Sequence, residues 1–448
     1  MHDDLARLPG LLSGHAARLL ATLDGRPAAV PPGPRTPPRP LPPAAGLEGA
    51  LAEFASRWEP GFAGSAGPRY FGFVTGGATP ASVAGDWLTS VLDQNPATRF
   101  DSSAPDLEEE AIGWLAELLG LPSHTGAFVS GATMSNTTGL AIAREWLGER
   151  AGVQVADEGV AALGEITVLS AEPHSSVRKA LSMLGIGRRN LRIVPALPGR
   201  EAADVAALEE ALAALGGRPA IVVASAGTVN TVDFDDLRAI AALRERHPFW
   251  LHVDAAFGAF AALSPAHADL VAGLDEADSV CVDLHKWLNV PYDSAVQFSR
   301  RRDLQHRVFH NNAAYLGGPS EDPLHLTPEN SRRLRGLAAW CTLRAYGREG
   351  HRAIVERSIA QAHRLGELLT AAPGWRLLAP VRLNVVCFTH DTRAPDDIIR
   401  DALPEAFFTP TTLWGAPGLR AAFSNWRTTP DDVERAFRAL SGYPAEAR

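Results

Sequence analysis

The sequence predicts an α/β protein with a mostly parallel central sheet in a large domain, a small α+β domain at the C-terminus and a helical arm at the N-terminus. Between about residues 105 and 285, short apolar runs alternate with amphipathic stretches. Such alternation indicates βαβ units, which place helices on the faces of a parallel sheet. After about residue 345 the spacing changes. We therefore expect three regions, at residues 1–66, 67–345 and 346–448.

The N-terminal region is predicted to form two helices joined by a proline-rich connector. Leucines recur at helical spacing in the first 25 residues, and a second helical stretch covers about residues 46–58. The prolines of residues 31–43 exclude a helix and favour an extended strap. Because a helix, a strap and a helix make a poor core by themselves, this arm needs another surface, most economically that of a partner subunit.

The alternating part of the chain resolves into individual strands and helices. Strands are expected at residues 127–131, 166–171, 190–197, 220–227, 250–256 and 279–285. Helices are expected at residues 106–119, from 132 to about 148, and at 174–185, 205–215 and 235–246. In the C-terminal region we expect a long helix at about 350–371, two strands that include residues 381–390 and 419–425, and a final helix from 430.

The composition of the chain argues against several classes of partner and location. The net charge of −9 and the scattered basic residues argue against a nucleic-acid binder. Three cysteines without a CxxC pair favour a reducing compartment. The N-terminus lacks the basic region of a secretory signal, and no apolar run reaches the roughly 18–20 residues of a membrane span. We therefore expect a soluble cytoplasmic protein without nucleic-acid or membrane partners.

Lysine usage points to one position. The chain has 42 Lys and Arg residues, of which only Lys179 and Lys286 are lysines. A lysine amine can lose its proton and form a Schiff base, which a guanidinium group cannot do. Lys179 lies beside Arg178 in a predicted helix and is interpreted as a surface charge. Lys286 ends a predicted strand, where ligands bind in open parallel sheets.

Two further positions at predicted strand ends carry groups that suit a phosphorylated ligand. The small-residue turn at 130–139 opens a helix, so the backbone N–H groups of Ala132 and Thr133 could bind a phosphate. His174 follows a strand and could stack on an aromatic ring or relay a proton. Each feature alone is also explained by helix capping.

The last of these positions is Asp254, which ends an apolar strand. A buried carboxylate needs a cationic partner, and a protonated pyridine nitrogen would serve. The small Ala256 would let a flat ring lie against the backbone. An ordinary loop cap is the alternative. No metal site is expected, because the fourteen histidines show no ligand spacing such as HExxH.

The order of these features, a small-residue anion loop, a histidine, a strand-end aspartate and then His285-Lys286, resembles the fold-type I enzymes that use pyridoxal 5'-phosphate (PLP). More narrowly, the chain is similar to the group II amino-acid decarboxylases, which include the aromatic-L-amino-acid and glutamate decarboxylases. The similarity runs nearly end to end and includes residues 67–77, 101–122 and 331–350. It implies the fold-type I PLP-dependent transferase fold and a homodimer that exchanges its N-terminal arms.

The resemblance also implies roles for individual residues. Lys286 would form the Schiff base with PLP, and Asp254 would hold the pyridinium proton. His174 would stack on the cofactor ring. Tyr315, in a stretch rich in Asn, Gly and Pro, would protonate the decarboxylated carbanion of the quinonoid. The remaining cofactor-binding residues would be Ala132 and Thr133 at the phosphate with help from His285, Ser225 near the cofactor, and Ala256 against the ring.

The chain departs from the family pattern mainly on the substrate side. Gly67 stands where the family commonly has His, residues 73–76 replace a more aromatic run, and Asp283 stands where several relatives have Asn. We expect a carboxy-lyase of amino-acid metabolism that converts an L-amino acid to its amine and CO₂. Phe73, Phe257 and Tyr70 favour an aromatic or apolar side chain, although core packing explains them equally well. Alternatives are an aminotransferase, an aldehyde synthase, a C–C lyase, or a PLP-fold protein without catalysis.

Overall fold

The computed structural model describes residues 2–31, 33, 37–311 and 322–442. Both predicted arm helices are present, as α1 (His2–Thr22) and α2 (Gly46–Arg57). Glu59, just after α2, ties the two helices together, since its carboxylate accepts hydrogen bonds from Arg18 of α1 at 2.7 Å and from Arg26 at 3.2 Å. Leu5, Leu12 and Leu20 of α1 remain exposed, so the arm leaves apolar surface uncovered within one chain.

The large sheet has seven strands in the spatial order β1-β7-β6-β5-β4-β2-β3. The strands are β1 (Thr125–Val129), β2 (Val168–Ser170), β3 (Leu191–Ile193), β4 (Ala220–Ser225), β5 (Phe249–Asp254), β6 (Ser279–Asp283) and β7 (Ala295–Ser299). Strands β3, β2, β4, β5 and β6 run parallel to one another, which confirms the mostly parallel sheet. The strand that sequence analysis missed, β7, is antiparallel to β6 and β1, because the short connection from β6 leaves no room for a parallel crossover.

Helices cover both faces of this sheet and bury its apolar residues. They are α3 (Pro80–Leu92), α4 (Ala104–Leu119), α5 (Ala132–Ala151), α6 (Val155–Glu158), α7 (Ser175–Met183), α8 (Val205–Ala213), α9 (Leu237–Ala242), α10 (Leu284–Trp287) and α11 (Arg302–Phe309). The predicted helices are confirmed, with α9 shortened by a 3-10 turn at Leu243–Glu245. Strand β5 is buried along its whole length, so its last residue, Asp254, lies inside the protein.

The C-terminal region forms a second, antiparallel sheet in the order β10-β11-β9-β8. Its elements are α12 (Gly336–Ala371), β8 (Trp375–Leu377), β9 (Val385–His390), α13 (Pro395–Ala402), β10 (Thr409–Leu413), β11 (Ala416–Ala422) and α14 (Pro430–Leu440). The expected α+β organisation is therefore present. Helix α12 begins earlier than expected and is kinked at Gly347, where φ is 59°.

The domain limits expected from the sequence stay a prediction. The kink at Gly347 and the two separate sheets support the boundary near residue 345. One segment crosses it, since the Phe71 amide donates to the Phe407 carbonyl at 2.9 Å and Phe71 packs in the small domain's core. Among the described helices, none combines the length and apolar character that a bilayer span requires.

Candidate active site

Six of the predicted site residues meet at the carboxyl ends of the parallel strands, in a cavity of about 320 Å³. Those that line it are Ala132, His174, Ser225, Asp254, Ala256 and Lys286. They come from the ends of β4 and β5, the beginnings of α5 and α7, and α10. The opposite wall includes Phe73, Val74 and Arg420. This location agrees with the rule that open parallel sheets bind ligands at their strand ends.

Asp254 is held by two donors. Its Oδ2 accepts a hydrogen bond from Asn136 Nδ2 at 2.8 Å, and its Oδ1 accepts one from the Ala256 amide at 3.2 Å. Asn136 is fully buried in α5. Because a carboxylate can accept about four hydrogen bonds, Asp254 retains acceptor capacity for a cationic N–H in the cavity.

A buried chain of hydrogen bonds fixes the orientation of Asn136. Trp250 Nε1 can only donate, and it donates to Ser279 Oγ at 2.9 Å. The Ser279 hydroxyl then donates to His252 Nδ1 at 2.8 Å, and His252 Nε2 donates to Asn136 Oδ1 at 2.9 Å. Burial lowers the pKa of His252 to about 4. The ring is therefore neutral, as this arrangement requires, and the Asn136 amide nitrogen must face Asp254.

The same chain of hydrogen bonds extends to His174. Asn136 Nδ2 also donates to Ser176 Oγ at 3.0 Å, and the Ser176 hydroxyl donates to His174 Nδ1 at 2.7 Å. The Ser176 amide donates a hydrogen bond to the same nitrogen at 3.3 Å, so His174 is also the N-cap of α7. Desolvation lowers the pKa of His174, and Asp254 partly offsets this effect. The neutral ring therefore carries its proton on Nε2.

The sequence suggested that Lys286 ends a strand, and this prediction was wrong. Strand β6 ends at Asp283, and Lys286 lies in the single helical turn α10. That turn brings Lys286 Nζ to 2.7 Å from Asp283 Oδ2. Burial acts to lower the pKa of Lys286, but the charge and hydrogen bond of Asp283 outweigh it and the pKa is raised. Gly76 packs against this turn so closely that a Cβ there would lie 1.7 Å from the Lys286 carbonyl oxygen.

The N-terminus of α5 has the features of an anion site. Its N-cap, Gly131, has no side chain to satisfy the first amides of this 20-residue helix. His285 lies beside it, since a Cβ on Gly131 would be 3.7 Å from His285 Cε1. Thr133 and His285 are not among the residues that line the cavity itself. His285 Nδ1 donates to the Ser294 carbonyl at 2.9 Å, and its ring lies 4.3 Å from that of Tyr292.

Arg420 is the cationic side chain of the opposite wall. Its Nη1 donates to the Phe73 carbonyl at 2.6 Å, and its Nε donates to the Val229 carbonyl. Its Nη2 is buried and has no hydrogen-bond partner within the described part of the chain. Burial lowers the pKa of Arg420 to about 10, so the group stays cationic at neutral pH. Phe73 adopts a positive φ of 56° and is 61% exposed.

Two remaining predicted residues are less informative. The Ser225 hydroxyl donates to the Glu172 carbonyl at 3.3 Å, and its amide donates to Asp235 Oδ2 at 2.8 Å. Tyr315 lies outside the described residues.

Sequence analysis missed Asn136, Ser176 and His252 as supporting residues. Strand alternation supplied a signal for His252, because it is a polar residue within the buried strand β5.

The residues present fit PLP. One cavity is lined or bordered by the four groups that PLP needs. These are a lysine amine, an acceptor for a pyridinium N–H, an uncapped helix N-terminus for a phosphate, and a flat neutral imidazole. In addition, Asp283 Oδ1 and Arg420 Nη2 are buried polar atoms without a partner in the described chain. A buried polar atom of this kind is costly unless a ligand satisfies it. Fold and site together thus define an enzyme of the type that binds PLP at the strand ends of an α/β sheet.

Residues 47–391 match the pyridoxal-dependent decarboxylase conserved domain, and the chain belongs to this family. It is a PLP-dependent amino-acid decarboxylase, a carboxy-lyase, with pyridoxal 5'-phosphate as its cofactor.

The aromatic-L-amino-acid decarboxylase of Bacillus atrophaeus is 29% identical over 334 residues, which are 72% of this chain and 67% of that protein. The acidic amino acid decarboxylase of Mus musculus is 31% identical over 335 residues, 72% of this chain and 60% of its own. The crystal structure of Oryza sativa TDC with PLP and tryptamine superposes with a TM-score of 0.89 at 24% identity, covering 99% of this chain and 98% of that chain.

Proposed function

We propose that this enzyme removes the α-carboxylate of an L-amino acid with an aromatic or apolar side chain, giving the amine and CO₂. The observation that carries the proposal is that Lys286, Asp254 and Arg420 line one cavity. Bound PLP supplies an electron sink for the bond that breaks at the α-carbon. The chain's own residues then decide which bond that is and where protons go.

The cofactor side of the cavity would be held by residues of the large domain. Lys286 would bind the cofactor covalently through its amine. Asp254, oriented by Asn136, would keep the pyridine nitrogen protonated, and His174 would lie flat against the ring. The α5 N-terminus at Ala132 and Thr133, with His285, would bind the phosphate, while Ser225 and Ala256 complete the lining. Geometry and resemblance support these roles jointly.

Arg420 would bind the substrate carboxylate. Its unused Nη2 is a charge-assisted donor in a desolvated position, where such a bond contributes about 1.5–3 kcal/mol. The two carbonyls that hold Nε and Nη1 fix the plane of the guanidinium. A carboxylate at Nη2 would thus have one defined location, which orients the scissile bond.

The lining of the cavity favours a substrate side chain without negative charge. Phe73, Val74 and Phe257 supply apolar surface. Glu172 and Glu201 also line the cavity, and burial together with Glu201 raises the pKa of Glu172. An acidic side chain would meet these groups at a cost. Relatives named for aromatic and for acidic substrates match this chain about equally well, so the lining carries this part of the proposal.

The test is a panel of the common L-amino acids, followed for both CO₂ release and keto-acid formation. We expect amine and CO₂ in equal amounts, with aromatic or apolar substrates preferred over glutamate and aspartate. Keto acid without CO₂ would instead indicate amino transfer. Preference for an acidic substrate would refute the interpretation of Glu172 and Glu201.

We also propose that Tyr315 delivers the proton to the α-carbon after CO₂ leaves, on the strength of its match to the family's motif. A phenol with a pKa near 10 is protonated at neutral pH and can act as the acid. Tyr315→Phe should bind cofactor and substrate normally but form amine about 10²–10⁴ times more slowly. Aldehyde would appear as a diverted product where O₂ serves as the oxidant or where the amino group is transferred to the cofactor. Unchanged amine formation by this variant would exclude the role.

We propose a homodimer in which the arm of one subunit covers its partner. Trp87, Leu88, Val91 and Leu92 of α3 form an exposed apolar face, and α1 exposes leucines of its own. Deleting residues 1–42 should remove the arm's contacts and lower the dimer's stability in sedimentation experiments. A fully active truncated protein with unchanged assembly would refute the proposal.

The three unpaired cysteines support a cytoplasmic location.

A further inference from the structure

We propose that His306, His310 and His325 form a binding site for a divalent transition-metal ion, of which Zn²⁺ is the reference case. The site is separate from the cavity described above and does not depend on the proposed substrate. His306 and His310 are four residues apart at the end of α11, and His325 ends the short 3-10 helix Pro323–His325. The sequence did not predict this site, because its third histidine, His325, lies on another element.

The three side chains are arranged as metal ligands require. One ligand atom from each histidine lies within 4.8 Å of the others. The ring centroids are separated by 4.8 Å, 5.1 Å and 5.1 Å. Three imidazoles on one tetrahedral zinc ion, with Zn–N bonds of about 2.0–2.1 Å, place their ring centroids about 5 Å apart and their nitrogens about 3.3 Å apart. Small rotations of the side chains would therefore complete the site.

The hydrogen bonds of the cluster leave nitrogen atoms for an ion. His306 Nε2 is buried and has no partner within the described residues. His325 Nδ1 accepts a hydrogen bond from the Asn311 amide at 3.1 Å, so its lone pair already points at a donor that a metal ion could replace. His310 is exposed and can turn toward the other two rings. Three histidines with an open fourth position are a common zinc ligand set.

The surroundings of His306 and His325 favour the neutral imidazole that ligation requires. Burial lowers the pKa of His306, and the neighbouring His310 and Arg302 lower it further. Burial and the two other histidines likewise lower the pKa of His325, whereas Asp322 raises it. Asp322 is completely buried next to the cluster, and its negative charge favours a cation there against the charge of Arg302.

A metal ion at this site would join α11 to the 3-10 helix Pro323–His325, two elements separated by residues 310–322 in sequence. The described hydrogen bonds near this junction include Gln305 Nε2 to the Leu326 carbonyl at 2.7 Å and the Asn311–His325 bond. The ion would act as a structural crosslink between these elements.

The experiment uses the full-length, PLP-loaded protein with any polyhistidine tag removed, after treatment with EDTA and dialysis. Zn²⁺ is titrated calorimetrically, and Co²⁺ is followed by its visible absorption, which is intense only in tetrahedral sites. The variants are His306→Gln and His310→Gln. His363→Gln, at an exposed histidine of α12, is the matched control. Circular dichroism and PLP content establish that each variant is folded.

We expect one Zn²⁺ per chain, a melting temperature that rises with Zn²⁺, and affinity lowered at least about tenfold by either cluster variant. The His363→Gln control should bind within twofold of the unaltered protein. The proposal is overturned if the unaltered protein binds neither ion at 100-fold molar excess, or if both cluster variants bind as it does.

Discussion

Asp254 and Arg420, on the two walls of the active-site cavity, differ in how completely the hydrogen bonds around them are satisfied. On the large-domain wall, Asp254, Asn136 and His252 belong to a continuous chain of hydrogen bonds in which every donor has an acceptor. On the opposite wall, Arg420 has a buried nitrogen without a partner in the described chain, and Phe73 adopts a positive φ.

This difference separates two tasks. The hydrogen-bonded chain behind Asp254 is complete without ligand and is therefore preorganised, so Asp254 can bind the same cofactor in every turnover without rearranging. A wall with an unsatisfied donor and a strained residue gains free energy only when a ligand completes it. We therefore expect substitutions on the first wall to affect the chemistry, and substitutions on the second wall to affect substrate binding.

The largest effect is expected at Lys286. Lys286→Ala removes the amine that would hold the cofactor, so activity should fall to background and borohydride should no longer fix a pyridoxyl group to the protein. Lys179→Ala, at the only other lysine, is the matched control and should behave like the unaltered enzyme. Mass spectrometry that finds the pyridoxyl group on Lys179 would refute the assignment.

The next largest effect is expected at Asp254. Asp254→Asn keeps the shape of the side chain, but an amide cannot hold the pyridinium proton. We expect kcat to fall by at least about 10–150-fold, because the lost charge-assisted bond alone contributes about 1.5–3 kcal/mol. Cofactor content, measured by absorbance, should stay near one per chain. Turnover close to that of the unaltered enzyme, at full cofactor content, would contradict the role.

A smaller effect, and of a different kind, is expected at Arg420. Arg420→Lys keeps the charge but loses the guanidinium fork, so KM should rise about 10–100-fold while kcat changes less. Arg69→Lys is the structural control, since Arg69 is also buried and pairs with Asp432 of α14 at 2.7 Å. If Arg420→Lys lowers only the melting temperature, as Arg69→Lys should, Arg420 is a structural residue.

The two walls were also unequally predictable from sequence. Lys286, Asp254 and His174 were identifiable because polar residues at the ends of apolar strands meet at one edge of a parallel sheet. Asn136 was not identifiable, because it lies inside a helix and acquires its role only through His252 on another element.

The sequence does not distinguish a substrate-binding role for Arg420 from a structural one, because the burial of its guanidinium is a property of the fold. The four-residue spacing of His306 and His310 is present in the sequence. The approach of His325 could not be read from it, because it depends on how another element folds back. The pairing of Lys286 with Asp283 likewise depends on the turn α10, which the strand pattern did not predict.

The smallest expected effect concerns pH and the buried histidine behind Asp254. The pKa of His252 is lowered from 6.5 to about 4 by burial. The unfolded chain therefore binds a proton between pH 6.5 and 4 that the folded protein does not bind. The contribution to stability is complete above pH 6.5 and is lost as the pH falls toward 4, by about 3 kcal/mol for this group.

His252→Gln should reduce the steepness of this loss by about one proton, measured as the pH dependence of urea unfolding between pH 7 and 4.5. His351, whose pKa burial also lowers to about 4, lies outside the active-site cavity and is the matched control. His351→Gln should reduce the steepness equally but leave PLP affinity unchanged, whereas His252→Gln should also weaken PLP binding by releasing Asn136. If both variants retain the affinity of the unaltered enzyme, the hydrogen-bonded chain does not position Asp254, and the contrast between the two walls loses its physical basis.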